Sequence, residues 1–193
     1  MPGDVFEQFP RDYDRWFDEH NAGYRAKLSR VRRPFPRPDS RAVEAGVRSG
    51  RFAAPLGIRL GIEPSRALGR MARERGIEVI QGRGEAIPIR DGAGSSVLLV
   101  TVICFLDDPV RAFREIHRIL APQGTLVIGF LEREGPVAQQ YLHAEGKHRF
   151  LSRARFYSLG EVLVLLGRTG FCVTGVESQA GFSVLAAQKG RSI

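Results

Sequence analysis

The spacing of apolar residues changes along the chain. Between residues 4 and 33, large apolar side chains recur at roughly helical spacing among charged ones, which predicts one or two amphipathic helices. Pro34, Pro36 and Pro38 then stop any helix. We therefore expect one domain, with an N-terminal helical segment over residues 1–38 and a core over residues 39–193.

After the prolines, short apolar runs alternate with amphipathic segments. The runs predict strands at residues 42–45, 58–62, 78–81, 96–104 and 125–131, and helices at 65–75 and 109–120. Runs that are apolar throughout are typical of parallel strands covered on both faces. Because strands and helices alternate, we expect an α/β fold with a doubly wound, mostly parallel sheet in three αβα layers.

The C-terminal part has a different pattern. Ser158 and Glu161 form the capping-box spacing at the start of a predicted helix over residues 158–167. Strand-like runs at 172–177 and 182–188 are joined by only four residues, too few for a crossover helix. We therefore expect these two strands to form a C-terminal antiparallel hairpin.

Composition narrows the class of protein. The chain has 193 residues, 43% of them apolar, and no run of eighteen apolar residues, so we expect a soluble, cytoplasmic protein without a membrane span. The net charge of +8 comes from arginines dispersed along the chain, with no basic motif interleaved with aromatic residues, which makes nucleic acid an unlikely partner. Cys104 and Cys172 lack the spacing of a metal site, and no metal is predicted.

Candidate chemistry lies where the predicted strands end. The first strand runs into a turn that contains Glu44, Gly46 and Gly50, and the second ends at Glu63. Glycines let the backbone approach a ligand, and a carboxylate at the end of a second strand can accept hydrogen bonds from both ribose hydroxyls.

With these motifs, nearly the whole sequence resembles the class I S-adenosylmethionine-dependent methyltransferases with small-molecule substrates, the branch related to ubiquinone-biosynthesis methyltransferases. The resemblance implies a Rossmann-like fold and S-adenosylmethionine as cofactor. It is carried by five segments: Glu44-x-Gly46-x-Arg48-x-Gly50, Glu63-Pro64-Ser65, residues 82–88, residues 97–109, and the turn at 120–124.

The resemblance also implies roles for individual residues. Glu44 would hold the methionine ammonium group, Gly46 and Gly50 would let the backbone approach the cofactor, and Glu63, followed by Pro64, would take the ribose hydroxyls. Gly84 and Glu85 would read the adenine edge through their backbone. Thr101 and Phe105 would lie beside the sulfonium, and Tyr13 would close over the site as a lid.

Two residues depart from the family pattern. Arg48 replaces the middle glycine; it could pair with Glu44 or Glu63, hold the cofactor carboxylate, or fill the pocket. The last case would leave a degenerate methyltransferase-like domain that acts as a binding or interaction module. Arg83 stands where the family commonly has an aspartate.

The acceptor is a small molecule that the sequence does not identify, and no catalytic residue is assigned, because methyl transfer needs mainly alignment and exclusion of water. His117 is interpreted as structural, and His143 and His148 as solvated.

The basic and aromatic run 147–157 is either part of the substrate pocket or a solvated helix that packs Phe150, Phe156 and Tyr157 inward. A nicotinamide-dependent oxidoreductase fits less well, because G-x-G-x-x-G is absent. The oligomeric state is left open.

Overall fold

The computed structural model describes residues 4–143, 149–151 and 154–190. Its N-terminal part forms three helices, α1 (Asp4–Gln8), α2 (Pro10–Glu19) and α3 (Asn21–Arg32), where the sequence predicted one or two. Non-helical backbone at Phe9 and His20 separates them, and Pro10 begins α2. Helices α2 and α3 contribute Phe17 and Val31 to a buried cluster on one face of the sheet.

The sheet has seven strands in the order β3-β2-β1-β4-β5-β7-β6. The first five are parallel, whereas β7 pairs antiparallel with both β5 and β6. The predicted α/β fold with a C-terminal antiparallel hairpin is confirmed. The strands are β1 (Ala42–Ala45), β2 (Leu60–Glu63), β3 (Glu78–Gln81), β4 (Gly94–Val100), β5 (Leu120–Leu131), β6 (Phe171–Gln179) and β7 (Phe182–Lys189).

Local capping signals define several helix starts. Ser65 Oγ accepts a hydrogen bond from the Leu68 amide at 3.1 Å, and the predicted capping box of Ser158 and Glu161 is present. A side-chain cap satisfies an amide that has no partner within the helix. The helices after β1 are α4 (Ala53–Leu56), α5 (Arg66–Glu74), α6 (Pro109–Ile119), α7 (Pro136–His143) and α8 (Leu159–Arg168).

The sheet is covered on both faces. On one face, Phe113 and Ile116 of α6 and Leu166 of α8 pack with strand residues in one buried cluster. On the other face, Val31 of α3 and Ala72 of α5 belong to a second cluster. Burial on both sides explains why the parallel strands are apolar throughout.

The fourth strand is shorter than the sequence predicted. It ends at Val100 rather than at residue 104, because Thr101 adopts a left-handed backbone with φ of +52° and a single 3₁₀ turn follows at Ile103–Phe105. The prediction rested on an apolar run, which does not distinguish a strand from a buried turn. No helix within the described residues is long and apolar enough to cross a membrane.

Candidate functional site

A cavity of about 400 Å³ opens at the carboxyl ends of β1, β2, β3 and β4. The chain reverses direction across the sheet between β1 and β4, and open α/β sheets bind their ligands at such a point. The volume lies within the roughly 300–1,000 Å³ of small-molecule and cofactor sites. We call it the strand-end cavity; seven of the predicted cofactor residues line it: Gly46, Arg48, Glu63, Pro64, Gly84, Glu85 and Phe105.

Glu63 is the carboxylate on the wall of this cavity. It is 2% exposed; one oxygen accepts the Arg48 amide at 2.9 Å and the other accepts the Ser65 amide at 3.0 Å. A carboxylate offers about four lone-pair sites, so each oxygen can still accept one hydroxyl. Burial raises the pKa of Glu63, and the nearby Arg48 charge opposes this rise.

Glu44 lies behind the strand-end cavity rather than on its wall. Its side chain is 2% exposed, and Oε2 has no hydrogen-bond partner within the described part of the chain. Burial raises the pKa of Glu44 well above its ordinary value. An unsatisfied buried carboxyl oxygen is costly, and a donor brought by a ligand would satisfy it.

The two glycines of the turn have different surroundings. Gly46 has φ of +73° and lines the cavity, and a Cβ there would lie 2.5 Å from the Val102 side chain. Gly50 has φ of +84° but faces Ile77 and Ala72 of the core. Gly46 therefore permits the turn at the cavity, whereas Gly50 permits close packing behind it.

Arg48 separates the strand-end cavity from a second cavity and lines both. Its backbone is left-handed, with φ of +53°, and its guanidinium carbon lies 3.7 Å from the ring centre of Phe6 and 4.7 Å from that of Phe105. Among the described residues it forms no ion pair with Glu44 or Glu63. Arg48 therefore stacks on aromatic rings, and it leaves the strand-end cavity open instead of filling it.

Arg83 also lines the strand-end cavity, where the family pattern has an aspartate. It forms ion pairs with Asp107 and, at 3.6 Å, with Glu85, whose carboxylate accepts the Asp107 amide at 2.9 Å. These contacts join the loop after β3 to the segment after β4, which are two sides of the same cavity.

The second cavity, of about 170 Å³, lies between α2, α3 and the segment around Phe150. Thr101, predicted beside the sulfonium, and Tyr13, predicted as a lid over the site, both line this second cavity. The left-handed turn at Thr101 accounts for the position of that residue. Burial raises the pKa of Tyr13, so its hydroxyl stays neutral. Because most of its wall is aromatic, we call it the aromatic cavity.

Helix α1 supplies site residues that the sequence did not reveal. Phe6 is 3% exposed and lines both cavities. Glu7 accepts the Ser65 hydroxyl at 2.7 Å and the Ala67 amide at 3.2 Å, which fixes α1 to the start of α5. The apolar spacing predicted a helix here, but only long-range packing places it over the site.

His117 and His143 line neither of the two cavities. His117 is half-buried in α6, its ring 5.4 Å from that of Phe171, and burial lowers its pKa. His143 is exposed, and its Nδ1 lies 2.7 Å from the Gln139 carbonyl oxygen. His148 lies outside the described residues.

The run at residues 147–157 is described only at 149–151 and 154–157. Arg149, Phe150 and Leu151 line the aromatic cavity, whereas Phe156 and Tyr157 are buried. None of these described residues is helical. The run therefore contributes to a pocket wall and also packs inward. The described residues hold no cluster of ligands that could bind a metal.

Comparison with known proteins agrees with this geometry. The family profile for a methyltransferase domain matches residues 43–128. A crystal structure from Thermotoga maritima, described as a SAM-dependent methyltransferase and possible histamine N-methyltransferase, is similar with a TM-score of 0.90 and 35% identity, over 97% of this chain and 99% of that one. The chain belongs to the class I S-adenosylmethionine-dependent methyltransferase family.

Two sequence relatives are uncharacterised proteins. One from Methanocaldococcus jannaschii is 34% identical over 167 residues, which cover 86% of this chain and 80% of the relative. One from Mycobacterium tuberculosis is 40% identical over 167 residues, which cover 83% of this chain and 58% of the relative. This chain therefore spans little more than half the length of the mycobacterial protein.

Proposed function

We propose that the chain binds S-adenosylmethionine in the strand-end cavity and transfers its methyl group to a small-molecule acceptor. The observation that carries this proposal is the position of Glu63, a buried carboxylate with free acceptor capacity on the wall of a cavity at the switch point of the sheet. Family membership supplies the identity of the cofactor.

The residues around the cavity fit this cofactor. Glu63 would accept hydrogen bonds from the ribose hydroxyls, and the loop at Gly84 and Glu85 would face the adenine. Arg48 would attract the carboxylate at the methionine end. Glu44, whose Oε2 lacks a partner, would interact with the ammonium group from behind the cavity wall.

When bound, S-adenosylmethionine would supply an electrophilic methyl carbon for an acceptor lone pair, and the carbon–sulfur bond electrons would leave with the sulfur as a neutral thioether. The protein holds the acceptor in line with that carbon and excludes water. The aromatic cavity lies next to the strand-end cavity and shares Phe6, Arg48 and Phe105 with it, so it is the proposed acceptor site. We propose that residues 1–38 act as a lid over both cavities, with Tyr13 on its inner surface.

Histamine, the acceptor suggested for the Thermotoga maritima protein, does not match the charged groups of the aromatic cavity in this chain. Histamine is an amine, and its ammonium form is best held by carboxylates. Among the described residues, no aspartate or glutamate lines the aromatic cavity. The proposed function therefore includes methyl transfer without assigning histamine as the acceptor.

Glu63→Gln tests the cofactor assignment. Replacing a charged acceptor by a neutral amide should weaken binding of S-adenosylhomocysteine, measured by titration calorimetry, by about ten- to a hundredfold. Glu74→Gln, an exposed carboxylate at the end of α5, is the matched control and should bind like the unmodified chain. Equal affinities for the two variants would count against the proposed site.

A further inference from the structure

The aromatic cavity is lined by more cations than carboxylates within the described residues. Its charged lining groups within the described residues are Lys27, Arg48 and Arg149, and the rest of its wall is mainly rings, including Trp16 and Phe150. Arg149 is paired with Asp12 at 2.7 Å. Lys27 and Arg48 differ from it, because the structure pairs neither with a carboxylate in the part of the chain that it describes.

Lys27 lines the aromatic cavity but not the strand-end cavity, and no described carboxylate is paired with it. It is half-buried on α3, its ammonium lies 5.5 Å from the ring centre of Trp16 and 5.6 Å from that of Phe182, and burial lowers its pKa. Contact with aromatic rings offsets part of the loss of hydration, but a buried ammonium is best stabilised by an anion. The site is therefore complementary to a negative charge.

The size and walls of the cavity limit what could bring that charge. At about 170 Å³, it suits a small molecule. Aromatic rings on several sides favour stacked or edge-to-face contact with another planar ring. A single aromatic ring that carries a carboxylate can contact the aromatic walls and pair with the Lys27 ammonium at the same time.

We propose that the aromatic cavity binds a small aromatic acid, with Lys27 as the residue that holds its carboxylate. This inference rests on the proposed function, because it specifies the class of acceptor that the methyltransferase would use. It predicts discrimination by charge among ligands of the same shape: an aromatic carboxylate binds, and the corresponding amine does not.

The chain offers a direct reporter of this binding. Trp16 is its only tryptophan and lines the aromatic cavity, so its fluorescence responds to ligands there. Benzoate, benzyl alcohol and benzylamine, three probes with one ring and different charge, are titrated against this signal with and without S-adenosylhomocysteine. Free tryptophan amide corrects for nonspecific quenching.

The expected result is that benzoate binds at least about tenfold more tightly than benzylamine. Lys27→Met should remove that preference, whereas Lys27→Arg, which keeps the charge, should retain it. Arg25→Met removes a cation from an exposed position of the same helix and is the matched control. It should behave like the unmodified chain.

Several outcomes would overturn the inference: equal or tighter binding of benzylamine, a benzoate preference that survives in Lys27→Met, or no saturable binding of benzoate. S-adenosylhomocysteine affinity, measured on the same samples, separates this inference from the proposed function. Lys27 does not line the strand-end cavity, so its variants should keep that affinity. Benzoate preference without any cofactor binding would disprove methyl transfer but leave the aromatic-acid site standing.

Discussion

Two buried carboxylates near the strand-end cavity, Glu63 and Glu44, have different surroundings. Glu63 lies on the wall and accepts two backbone amides, whereas Glu44 lies behind the wall with an oxygen that no described residue satisfies. Burial raises the pKa of both groups. A ligand ammonium would therefore change the protonation of Glu44, because an opposite charge favours the ionised carboxylate.

This difference predicts proton release on cofactor binding. Glu44 has a raised pKa in the free protein, and a bound ammonium lowers it, so a proton leaves at pH values between the two. The enthalpy of S-adenosylhomocysteine binding near neutral pH should therefore differ between phosphate and imidazole buffers. Glu44→Gln should remove the difference, and a buffer-independent enthalpy in the unmodified chain would contradict this role for Glu44.

At the scale of elements, the contact between α1 and α5 stabilises the fold and also positions residues of the strand-end cavity. Ser65 accepts the Leu68 amide as the N-cap of α5, and its hydroxyl donates to Glu7 of α1. One hydroxyl therefore fixes the start of α5 next to Glu63 and also holds α1 over the strand-end cavity.

Ser65→Ala should lower the free energy of unfolding by about 1–2 kcal/mol, since it removes a helix cap and a hydrogen bond to a carboxylate. Urea denaturation followed by circular dichroism measures this change. Ser29→Ala, at an exposed position of α3, should change stability by less than about 0.5 kcal/mol. Similar stabilities for the two variants would show that Ser65 does not hold these elements together.

The elements that the sequence predicted well are those defined by local signals. The capping box at Ser158 and the short link between β6 and β7 involve neighbouring residues, and both are confirmed. The predicted end of β4 was wrong, because Thr101 adopts a left-handed backbone that its residue type does not favour. The position of α1 could not be predicted, since it depends on contacts between Glu7 and residues nearly sixty positions away.

At the scale of the whole molecule, the two cavities differ in whether their residues carry local sequence signals or are brought together by long-range packing. Motif residues at strand ends, such as Gly46 and Glu63, could be assigned to a site because parallel strands end at one edge of the sheet. The aromatic cavity combines α2, α3 and the segment at residues 149–151. Nothing in the sequence marked Lys27 and Phe6 as site residues, because only the packing of their helices places them at the cavities.

Arg48 lies between the two cavities, and the position of its side chain decides between a working transferase and a degenerate domain. Its side chain stacks on Phe6 and Phe105 and leaves about 400 Å³ of the strand-end cavity open. On this geometry, Arg48 is compatible with cofactor binding and would contribute to it. Arg48→Gly should therefore bind S-adenosylhomocysteine no more tightly than the unmodified chain, although glycine suits the left-handed backbone better.

The most direct test is a calorimetric titration of S-adenosylhomocysteine into the unmodified chain and into Arg48→Gly, side by side. We expect saturable binding of one ligand per chain by the unmodified protein, with equal or weaker binding by the variant. Absence of binding by the unmodified chain would contradict this expectation, and binding gained only by Arg48→Gly would show that Arg48 has closed the cofactor site.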